Sequence, residues 1–425
     1  MKSTIQGFYK LSPKERMAKV AELTGLGEED VKAIAEPDEL PMDLADHMIE
    51  NVIGTFTLPM GVALNFAING KDVLIPMVSE EASVVAAASN SAKMARVGGG
   101  FTTSSTGPIM IAQVQIIGVK DPYYTKNIIL ENKEKIKKIC NDKDPVLLKF
   151  GGGFHDIDVR ILDTERGKMI ILHLLINVGD AMGANAVNSM AEAVSPFIEE
   201  ITGYKVDLRI LSNLATYRLA RARAVYTKES LSKTGDTADG EKVIEKILDA
   251  YAFAANDPYR AATHNKGIMN GISAAVLASG NDTRAIESGA HTYAAITGKY
   301  TSLTTWEKDL NGNLVGTIEL PMAVGLVGGA TKIHPAAKAV VKILGVKTAT
   351  ELGEIYAALG LAQNLAAVRA LATDGIQRGH MKLHARNIAA SVGASGDVLE
   401  KIVAQMIADK NINAEHAKRL FDEYK

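Results

Sequence analysis

The segment from Asp257 to Asn270 holds the densest group of side chains that could take part in catalysis. Inside an otherwise apolar helical stretch it carries a guanidinium, an imidazole, an amine and an amide, from Arg260, His264, Lys266 and Asn270. Residues four and six positions apart straddle more than one helix face, so a single solvated face explains the group poorly. Cationic and amide side chains clustered in this way can bind a carboxylate or stabilise an oxygen on which negative charge develops.

Carboxylates in other segments are candidate acids, and each also has a purely structural interpretation. Asp180 to Asn185 opens a predicted helix directly after a strand, where free N–H groups could hold a pyrophosphate and Asp180 could instead be the N-cap. Glu80 and Glu81 fall in the predicted first turn of a helix, where a carboxylate often only interacts with the helix dipole. Asp282 has the setting of another N-cap. Spacing alone therefore links none of these residues to a reaction.

Two familiar kinds of site are not supported by the sequence. His380 and His384 have the spacing of two metal ligands on one helix face, but no third ligand stands nearby and no metal is expected. No G-x-G-x-x-G motif follows a strand, which argues against a Rossmann dinucleotide unit. Cys140 is the only cysteine, which excludes an intramolecular disulfide framework and a cluster of cysteine ligands.

Composition and charge narrow the class of partner. Charged residues make up 23% of the 425 residues and the formal net charge is −2, so neither nucleic acid nor an anionic membrane surface is an expected partner. The longest apolar run, Met169 to Val178, is interrupted by His173 and falls far short of a membrane span. The first residues, Met1 to Tyr9, lack the apolar core of a signal peptide. We therefore expect a cytoplasmic protein that acts on a small molecule.

Hydrophobic periodicity predicts the elements that must position these side chains. Between residues 108 and 211 it predicts strand, helix, strand, strand, helix and strand, at Pro108–Val119, Asn127–Cys140, His155–Leu162, Lys168–Asn177, Gly183–Thr202 and Val206–Leu211. This order is that of a ferredoxin-like split unit, an antiparallel sheet with two helices on one face. A chain of this length is expected to hold more than one domain, and the unit is predicted to be an inserted one.

The flanking chain is predicted to be mostly helical. Ser79 is the expected cap of a small-residue helix, Ala82 to Ala95, that follows a strand. After Arg221 helices dominate, interrupted by one hairpin whose turn at Asn311-Gly312 is predicted to be of type I′. The segment after Asp374 is predicted to form a small, semi-independent helical cap.

Five segments taken together resemble the class II 3-hydroxy-3-methylglutaryl-coenzyme A (HMG-CoA) reductases, and the similarity runs along essentially the whole chain. The segments are Glu50-Asn51-Val52-Ile53-Gly54, Glu80-Glu81, Asp180 to Asn185, Asp257 to Asn270 and Gly375 to His384. The resemblance implies a mixed α+β fold: a mostly helical large domain at 1–107 and 217–374 for substrate binding and dimerisation, an inserted ferredoxin-like dinucleotide-binding domain at 108–216, and a C-terminal helical cap at 375–425. It also implies a soluble homodimer or higher oligomer with the active site between subunits.

The activity that the resemblance implies is the reversible four-electron reduction of HMG-CoA to mevalonate and coenzyme A with two NAD(P)H. The catalytic set would be Glu81, Lys266, Asp282 and His380. The Lys266 ammonium would stabilise the oxyanion that hydride addition creates, and His380 would protonate the departing coenzyme A thiolate. A protonated Glu81 would donate to the aldehyde oxygen, with Lys266 shared between Glu81 and Asp282 in a water-poor site.

The resemblance also assigns binding residues. Ser83, Arg260 and Asn270 would face the acyl group. Arg260 would bind its free carboxylate through a two-pronged hydrogen bond. The dinucleotide would be lined by Asp180, Met182, Gly183, Asn185 and Asn213. Asp144 matches the position that meets the adenosine ribose, where a carboxylate favours NADH, with NADPH as the alternative. Ala82 departs from the family pattern, which usually has proline there, and leaves the local backbone less constrained.

Two other functions stay open on the sequence alone. A coenzyme A thioester hydrolase or acyl transferase would use similar acids and a histidine without hydride transfer. It needs a nucleophile, however, and the chain has no G-x-S-x-G elbow and no histidine close in sequence to Cys140. A non-catalytic oligomeric binding protein would tolerate replacement of Lys266 and His380.

Overall fold

The computed structural model describes residues 1–36, 40–373 and 376–424, with the side chains of residues 376–383 outside the description. In chain order the strands are β1 (Met60–Ile68), β2 (Lys71–Val78), β3 (Phe101–Ser105), β4 (Ile109–Ile117), β5 (Gly153–Thr164), β6 (Gly167–Asn177), β7 (Lys205–Ser212), β8 (Leu219–Tyr226), β9 (Thr304–Lys308) and β10 (Leu314–Pro321). They form two separate sheets.

The helices surround these sheets and also make up most of the N- and C-terminal regions. They are α1 (Pro13–Thr24), α2 (Glu28–Ala35), α3 (Met42–Met48), α4 (Val84–Val97), α5 (Pro122–Glu131), α6 (Lys133–Lys143), α7 (Pro145–Lys149), α8 (Ala184–Thr202), α9 (Lys228–Leu231), α10 (Thr237–Asn256), α11 (Pro258–Ala278), α12 (Thr283–Tyr293), α13 (Gly329–Ile333), α14 (Pro335–Leu344), α15 (Ala349–Ala372), α16 (Ile376–Ser391), α17 (Gly396–Ala408) and α18 (Ala414–Tyr424).

The smaller sheet is the ferredoxin-like unit that the sequence predicts. Its strands lie in the order β5-β6-β4-β7, and every neighbouring pair is antiparallel. Helices α5, α6 and α8 pack against it. In α8 the buried residues Val187, Met190 and Val194 recur at helical spacing and form the face that meets the sheet. The predicted helix Asn127–Cys140 is instead two helices, because α5 ends and α6 begins on either side of Asn132.

The larger sheet has the order β2-β1-β3-β8-β10-β9 and contains three strands that the sequence does not predict, β1, β3 and β8. In β8, buried Ala220, Ala222 and Ala224 alternate with exposed Arg221 and Arg223. Alanine favours helix over strand, so the composition of this segment does not indicate a strand. The strand forms because β3 and β10 pair with it on either side and α15 packs against it. The described chain after Arg221 is mostly helical, as predicted, but the prediction did not include this strand.

The predicted hairpin is present, but its turn is different. The pairing of β9 with β10 leaves a five-residue loop, 309–313, rather than a two-residue type I′ turn. Gly312 has φ +76°, whereas Asn311 does not have a positive φ. The carboxylate of Asp309 accepts bonds from the N–H groups of Asn311 and Asn313, and this side-chain closure stabilises the longer loop.

Helix α15 lies at the centre of the large core. It runs for 24 residues and packs against α4, α11 and the larger sheet. In the part of the chain that the structure describes, it is the one helix whose length and mean hydropathy of 1.3 would suffice to cross a membrane. Because 67% of that apolar window is buried inside the protein, its place in the core accounts for its composition.

Apolar side chains form one large cluster and two smaller ones. The large cluster is continuous through both sheets and includes Ile116 and Leu172 from the smaller sheet and Ile318 from the larger one. A second cluster joins the N-terminal helices to β2 and α14. Helices α16, α17 and α18 bury Met406 and Leu420 in a core of their own. This packing is what is expected of a semi-independent helical cap.

Candidate functional site

A carboxylate from one segment meets an amine and an amide from another. Lys266 Nζ donates to Oε2 of Glu81 at 2.9 Å, and Asn270 Nδ2 donates to the same oxygen at 3.3 Å. The two donors are 185 and 189 positions from Glu81 in the chain. They meet it because α11 packs against β2, the strand that leads into the Glu81 loop, and because Lys266 and Asn270 are one helical turn apart on the same face.

The loop that carries Glu81 differs from its prediction. Helix α4 begins at Val84, so neither Glu80 nor Glu81 lies in its first turn. Ser79 is not the helix cap, and its Oγ instead accepts a bond from the N–H of Glu81 at 3.0 Å. Ser83 has φ +78°, and this left-handed conformation, which costs roughly 1–2 kcal/mol for a residue with a Cβ, cannot continue a right-handed helix. The turn therefore holds Glu81 outside the helix by local bonds.

Helix α11 presents its polar residues on opposite sides, as the sequence predicts. Asp257 is its N-cap, and the Asp257 carboxylate accepts a bond from the N–H of Arg260 at 2.7 Å. Lys266 and Asn270 bond outward, whereas His264 is only 2% exposed. Arg260 is half-buried, and this burial lowers the pKa of its guanidinium from the ordinary value. The helix thus serves the site and the core at once.

His264 is held by a network of buried hydrogen bonds. The indole N–H of Trp306 donates to Oδ1 of Asn364 at 2.8 Å, so the amide nitrogen of Asn364 faces Nε2 of His264 at 3.0 Å. Nε2 also lies 2.9 Å from the hydroxyl of Ser302 and 3.0 Å from that of Thr304, whereas Nδ1 is a buried atom with no partner among the described residues. Burial and the guanidinium of Arg260 lower the pKa of His264 to about 4. His264 is therefore neutral at neutral pH and is not the acid of this site.

Asp282 is the N-cap of α12, one of the two interpretations that the sequence leaves open. Its Oδ1 accepts bonds from the N–H groups of Arg284 and Ala285 at 3.0 and 3.1 Å. Among the residues that the structure describes, Asp282 forms an ion pair with the guanidinium of Arg284, 3.6 Å away. Of the expected trio, the structure brings Glu81 and Lys266 together, and Asp282 makes its described bonds within its own helix.

The Glu81–Lys266 pair is open to solvent in the single chain. The side chain of Lys266 is 61% exposed and that of Glu81 is 39% exposed. The water-poor site that the resemblance implies is therefore not formed by the described part of one chain, because both charged groups keep contact with water. The backbone of His380 belongs to α16, but its side chain lies outside the described residues.

The loop between β6 and α8 is built differently from its prediction. Gly183, with φ +97°, is the N-cap, and α8 begins at Ala184 without a side-chain cap. The interpretation of Asp180 as the N-cap is wrong, because its Oδ1 accepts a bond from the N–H of Ala349 at the start of α15, 2.7 Å away. A Cβ on Gly183 would lie 2.6 Å from Cγ1 of Val178, so this close approach needs glycine. The uncapped N–H groups at the start of α8 have the setting of an anion-binding site.

The other residues assigned to a dinucleotide are distributed around the same sheet. Met182 lies in the loop before α8, and Asn185 is exposed in the first turn of that helix. Asn213 follows β7 directly, and its carbonyl accepts a bond from the N–H of Ala215 at 2.9 Å. These three residues therefore belong to chain segments that adjoin the ends of β6 and β7.

Asp144 begins a short helix, α7, that packs near the end of β6. It is the N-cap of α7, and its Oδ1 accepts a bond from the N–H of Leu147 at 2.9 Å. A Cβ on Gly152 would lie 2.6 Å from both Leu147 Cδ1 and the carbonyl oxygen of Asn177. Since Asn177 ends β6, α7 lies beside the start of the Asp180 loop.

Of two residues that shape these loops, the sequence assigned Ser79 a different role, as a helix cap, and missed Arg218. Ser79 bonds to the backbone of Glu81, as described above. Arg218, only 5% exposed, donates from Nη1 to the carbonyls of Ala181 and Met182. No sequence pattern marks an arginine whose partners are backbone carbonyls, so only the tertiary structure reveals it.

Cys140 is buried, and burial raises the pKa of its thiol to about 12. A thiol protected in this way is not a nucleophile near neutral pH, which removes the only cysteine candidate for thioester hydrolysis. Within the described ranges there is no group of three or more His, Cys, Asp or Glu residues that could hold a metal ion.

Solved structures define the class to which this fold belongs. The class II HMG-CoA reductase from Streptococcus pneumoniae, bound to NADPH in open conformations, superposes with a TM-score of 0.83 and 38% identity over 97% of this chain and 99% of the other. Another structure of the Streptococcus pneumoniae reductase superposes with a TM-score of 0.85 over 99% and 100% of the two chains, also at 38% identity. The fold is that of the class II HMG-CoA reductases.

Sequence comparison gives the same result. The model of the hydroxymethylglutaryl-coenzyme A reductase family matches residues 12–385. The 3-hydroxy-3-methylglutaryl-coenzyme A reductase of Archaeoglobus fulgidus is 60% identical over 422 residues, which cover 99% of this chain and 95% of the relative. The chain belongs to the HMG-CoA reductase family.

Proposed function

We propose that this protein catalyses the reversible reduction of HMG-CoA to mevalonate and coenzyme A, using two equivalents of a reduced nicotinamide cofactor and two protons. The observation that carries the proposal is the bond between Lys266 and Glu81, made across 185 positions in a member of the HMG-CoA reductase family. Hydrolysis or acyl transfer without hydride is disfavoured, since Cys140 is buried and has a raised thiol pKa.

The proposed roles follow from where charge and protons move in this reaction. A bound reduced nicotinamide supplies the hydrides. The Lys266 ammonium stabilises the negative charge that develops on the substrate oxygen, and Asn270 donates beside it. Glu81 gives a proton to the aldehyde oxygen, and His380 gives one to the coenzyme A thiolate. Asp282 completes the catalytic set by acting on Lys266 in the assembled site.

The acyl group of the substrate ends in a free carboxylate, for which we propose Arg260 as the partner. Its guanidinium is half-buried, and partial burial strengthens a two-pronged bond to a carboxylate. Ser83 and Asn270 are proposed to face the same group. The left-handed backbone of Ser83 supports this role, because strained residues tend to occur at functional sites.

We propose residues 108–216 as the dinucleotide-binding domain, between the parts of a large domain at 1–107 and 217–374, with 375–425 as the cap. The fit of a dinucleotide is supported by the uncapped start of α8, where Gly183 lets an anion approach the backbone. The residues proposed to contact it are Asp144, Asp180, Met182, Gly183, Asn185 and Asn213. A carboxylate at Asp144 accepts from a ribose 2′-hydroxyl and repels a 2′-phosphate, so NADH is the proposed cofactor.

We further propose that the protein is cytoplasmic and works as a homodimer or higher oligomer whose active sites lie between subunits. The support is the exposure of the Glu81–Lys266 pair in the single chain. Oxyanion stabilisation is strong where water is excluded, so this pair needs a cover that the described part of one chain does not supply.

The decisive experiment follows the absorbance of the reduced nicotinamide while HMG-CoA is consumed. Two cofactors oxidised for each HMG-CoA, with free thiol released, are expected. The assay is run with NADH and with NADPH, and a higher kcat/KM is expected for NADH. An Asp144→Asn variant should narrow that difference by removing the negative charge.

Release of thiol without nicotinamide oxidation would instead identify a hydrolase or transferase. If neither thiol release nor nicotinamide oxidation is observed with either cofactor, the remaining interpretation is a non-catalytic binding protein. An equal kcat/KM for the two cofactors would contradict the role of Asp144 while leaving the reductase activity in place.

A further inference from the structure

Arg218 is a buried cation whose hydrogen-bond partners are backbone carbonyls. Its Nη1 donates to the carbonyls of Ala181 at 3.0 Å and Met182 at 3.1 Å, and its Nη2 donates to the carbonyl of Val324. In the ranges that the structure describes, none of its bonds is to a carboxylate. Burial lowers the pKa of its guanidinium to about 10, and the charge of Asp180 partly opposes this. Burying a guanidinium is costly, so its retention beside the α8 loop calls for an explanation.

The two carbonyls that face Arg218 determine where the neighbouring N–H groups point. Every described peptide bond is trans, so the carbonyl of one residue and the N–H of the next point in opposite directions. With the carbonyls of Ala181 and Met182 turned toward Arg218, the N–H groups of Met182 and Gly183 point away from it. The N–H of Met182 faces the carbonyl of Val327 across the parallel bridge between Ala181 and Val327. Within the described ranges the N–H of Gly183, and those of Ala184 and Asn185 in the first turn of α8, make no hydrogen bond.

The same loop is fastened from other sides as well. The carbonyl of Asp180 accepts a bond from the N–H of Leu326 at 2.8 Å, and its side chain accepts one from the N–H of Ala349 at 2.7 Å. These carbonyl and carboxylate acceptors of the loop are therefore occupied by the protein, while the N–H donors from Gly183 to Asn185 are left without partners. A set of donors fixed in advance binds an anion with little reorganisation.

We propose that Arg218 is a positioning residue for the cofactor: it turns the Met182–Gly183 peptide so that the N–H of Gly183, with those of the α8 N-terminus, faces the pyrophosphate of the dinucleotide. The identity of the ligand rests on the proposed function. The orientation of the Met182–Gly183 peptide is argued from the hydrogen bonds of Arg218 and does not depend on which ligand binds.

The test compares Arg218→Met and Arg218→Lys with Arg223→Met, which removes an exposed arginine from the neighbouring strand β8. Dissociation constants for NADH are measured by titration of nicotinamide fluorescence, and KM values are measured for NADH and for HMG-CoA. We expect Arg218→Met to weaken NADH binding by about tenfold or more, the effect of losing one oriented set of donors. The NADH dissociation constant of Arg218→Lys should lie between those of the wild type and Arg218→Met. That of Arg223→Met should match the wild type. KM for HMG-CoA should change less than about twofold in all three.

Unchanged NADH binding in a folded Arg218→Met variant would overturn the inference. So would equal weakening of NADH and HMG-CoA, because that pattern reports general damage to the fold. If Arg218→Met does not fold, Arg218→Lys and the wild-type protein decide: amide hydrogen exchange at residues 183–185 must slow when NADH is added, and unchanged exchange refutes the inference. Failure of the proposed function has a different signature, namely a wild-type protein that binds NADH but does not oxidise it with HMG-CoA.

Discussion

At the scale of single residues, one oxygen of Glu81 accepts bonds from both an ammonium and an amide. This arrangement fixes the direction in which the Lys266 amine points, because a long lysine side chain left alone samples many rotamers. Ser79 fixes the other partner by bonding to the backbone of Glu81. The result is a cation that is oriented in advance, and such a group can stabilise negative charge as it develops on an oxygen.

Replacing Lys266 by methionine should remove this cation while keeping the bulk of the side chain. We expect kcat for HMG-CoA reduction to fall by about 10²–10³-fold or more, because one preorganised stabilising group is lost. NADH binding and thermal stability should stay near wild type, since the Lys266 side chain is 61% exposed. Steady-state assays, NADH titration and thermal unfolding provide the three measurements.

The matched control is Lys246→Met, which removes an exposed lysine from α10. It should leave kcat unchanged. A Lys266→Met enzyme that kept more than about a tenth of the wild-type kcat would contradict the proposed role of this amine.

His264 makes the stability of the protein depend on pH. Its pKa is lowered to about 4 in the folded chain, below the value of about 6.5 for an exposed histidine, so the unfolded state takes up the proton first. Its contribution to stability is therefore complete above about pH 6.5 and is lost as pH falls from there to about 4. For a buried group this amounts to about 3 kcal/mol of unfolding free energy.

The measurement is denaturant unfolding at several pH values between 7 and 4, for the wild type and for His264→Gln. Glutamine keeps an acceptor near Nε2 but does not titrate, so the variant should be less stable at pH 7 and should lose less stability on acidification. Parallel curves for the two proteins would show that His264 does not carry this pH dependence.

At the scale of elements, α8 shows how one glycine connects a strand to a helix. Gly183 has φ +97° and lies so close to Val178 that a Cβ would be 2.6 Å from its Cγ1. Gly203 ends the same helix with φ +68° and has open space around it. The two positions therefore separate backbone strain from steric crowding.

We expect Gly183→Ala to weaken NADH binding and to destabilise the protein by about 2–4 kcal/mol, because strain and collision add. Gly203→Ala should cost about 1 kcal/mol through strain alone and leave NADH binding unchanged. Unfolding free energies and NADH titration of the two variants test this difference. Equal effects on NADH binding would show that the start of α8 does not contact the cofactor.

At the scale of the whole molecule, the C-terminal helices have a core that is separate from the large one. They carry His380 in their first helix, α16. Glycine accepts a wide range of backbone angles, so Gly375 and Gly379 are candidate hinges, although Gly375 lies outside the described residues. A unit with its own core can change its position without unfolding, which suits a cap that closes over bound substrates.

Limited proteolysis of the full-length protein tests this closure. We expect cleavage near residues 374–380 to slow markedly when HMG-CoA and NADH are added together, because the closed cap protects its own connection. The exposed loop at residues 233–236 serves as an internal control and should be cut at the same rate in both conditions. Equal protection of the 374–380 segment with and without ligands would rule out closure.

Local sequence patterns were sufficient for the ferredoxin-like unit and for most helices. In β5, for example, Ile157, Val159 and Ile161 alternate with polar residues, and this period is a property of the segment itself. Strand β8 could not be predicted in this way, since its buried residues are alanines and its strand conformation comes from pairing with β3 and β10. The start of α4 was also missed, because the left-handed turn at Ser83 has no sequence signal.

The sequence by itself determined the chemical types of the site residues and the family that their motifs indicate. Only the tertiary structure decided which of them meet: Lys266 reaches Glu81 across 185 positions, while Asp180 bonds to α15 and Asp282 bonds to its own helix. The physical reason is that periodicity and capping act over a few residues, whereas contacts between distant segments depend on how whole elements pack.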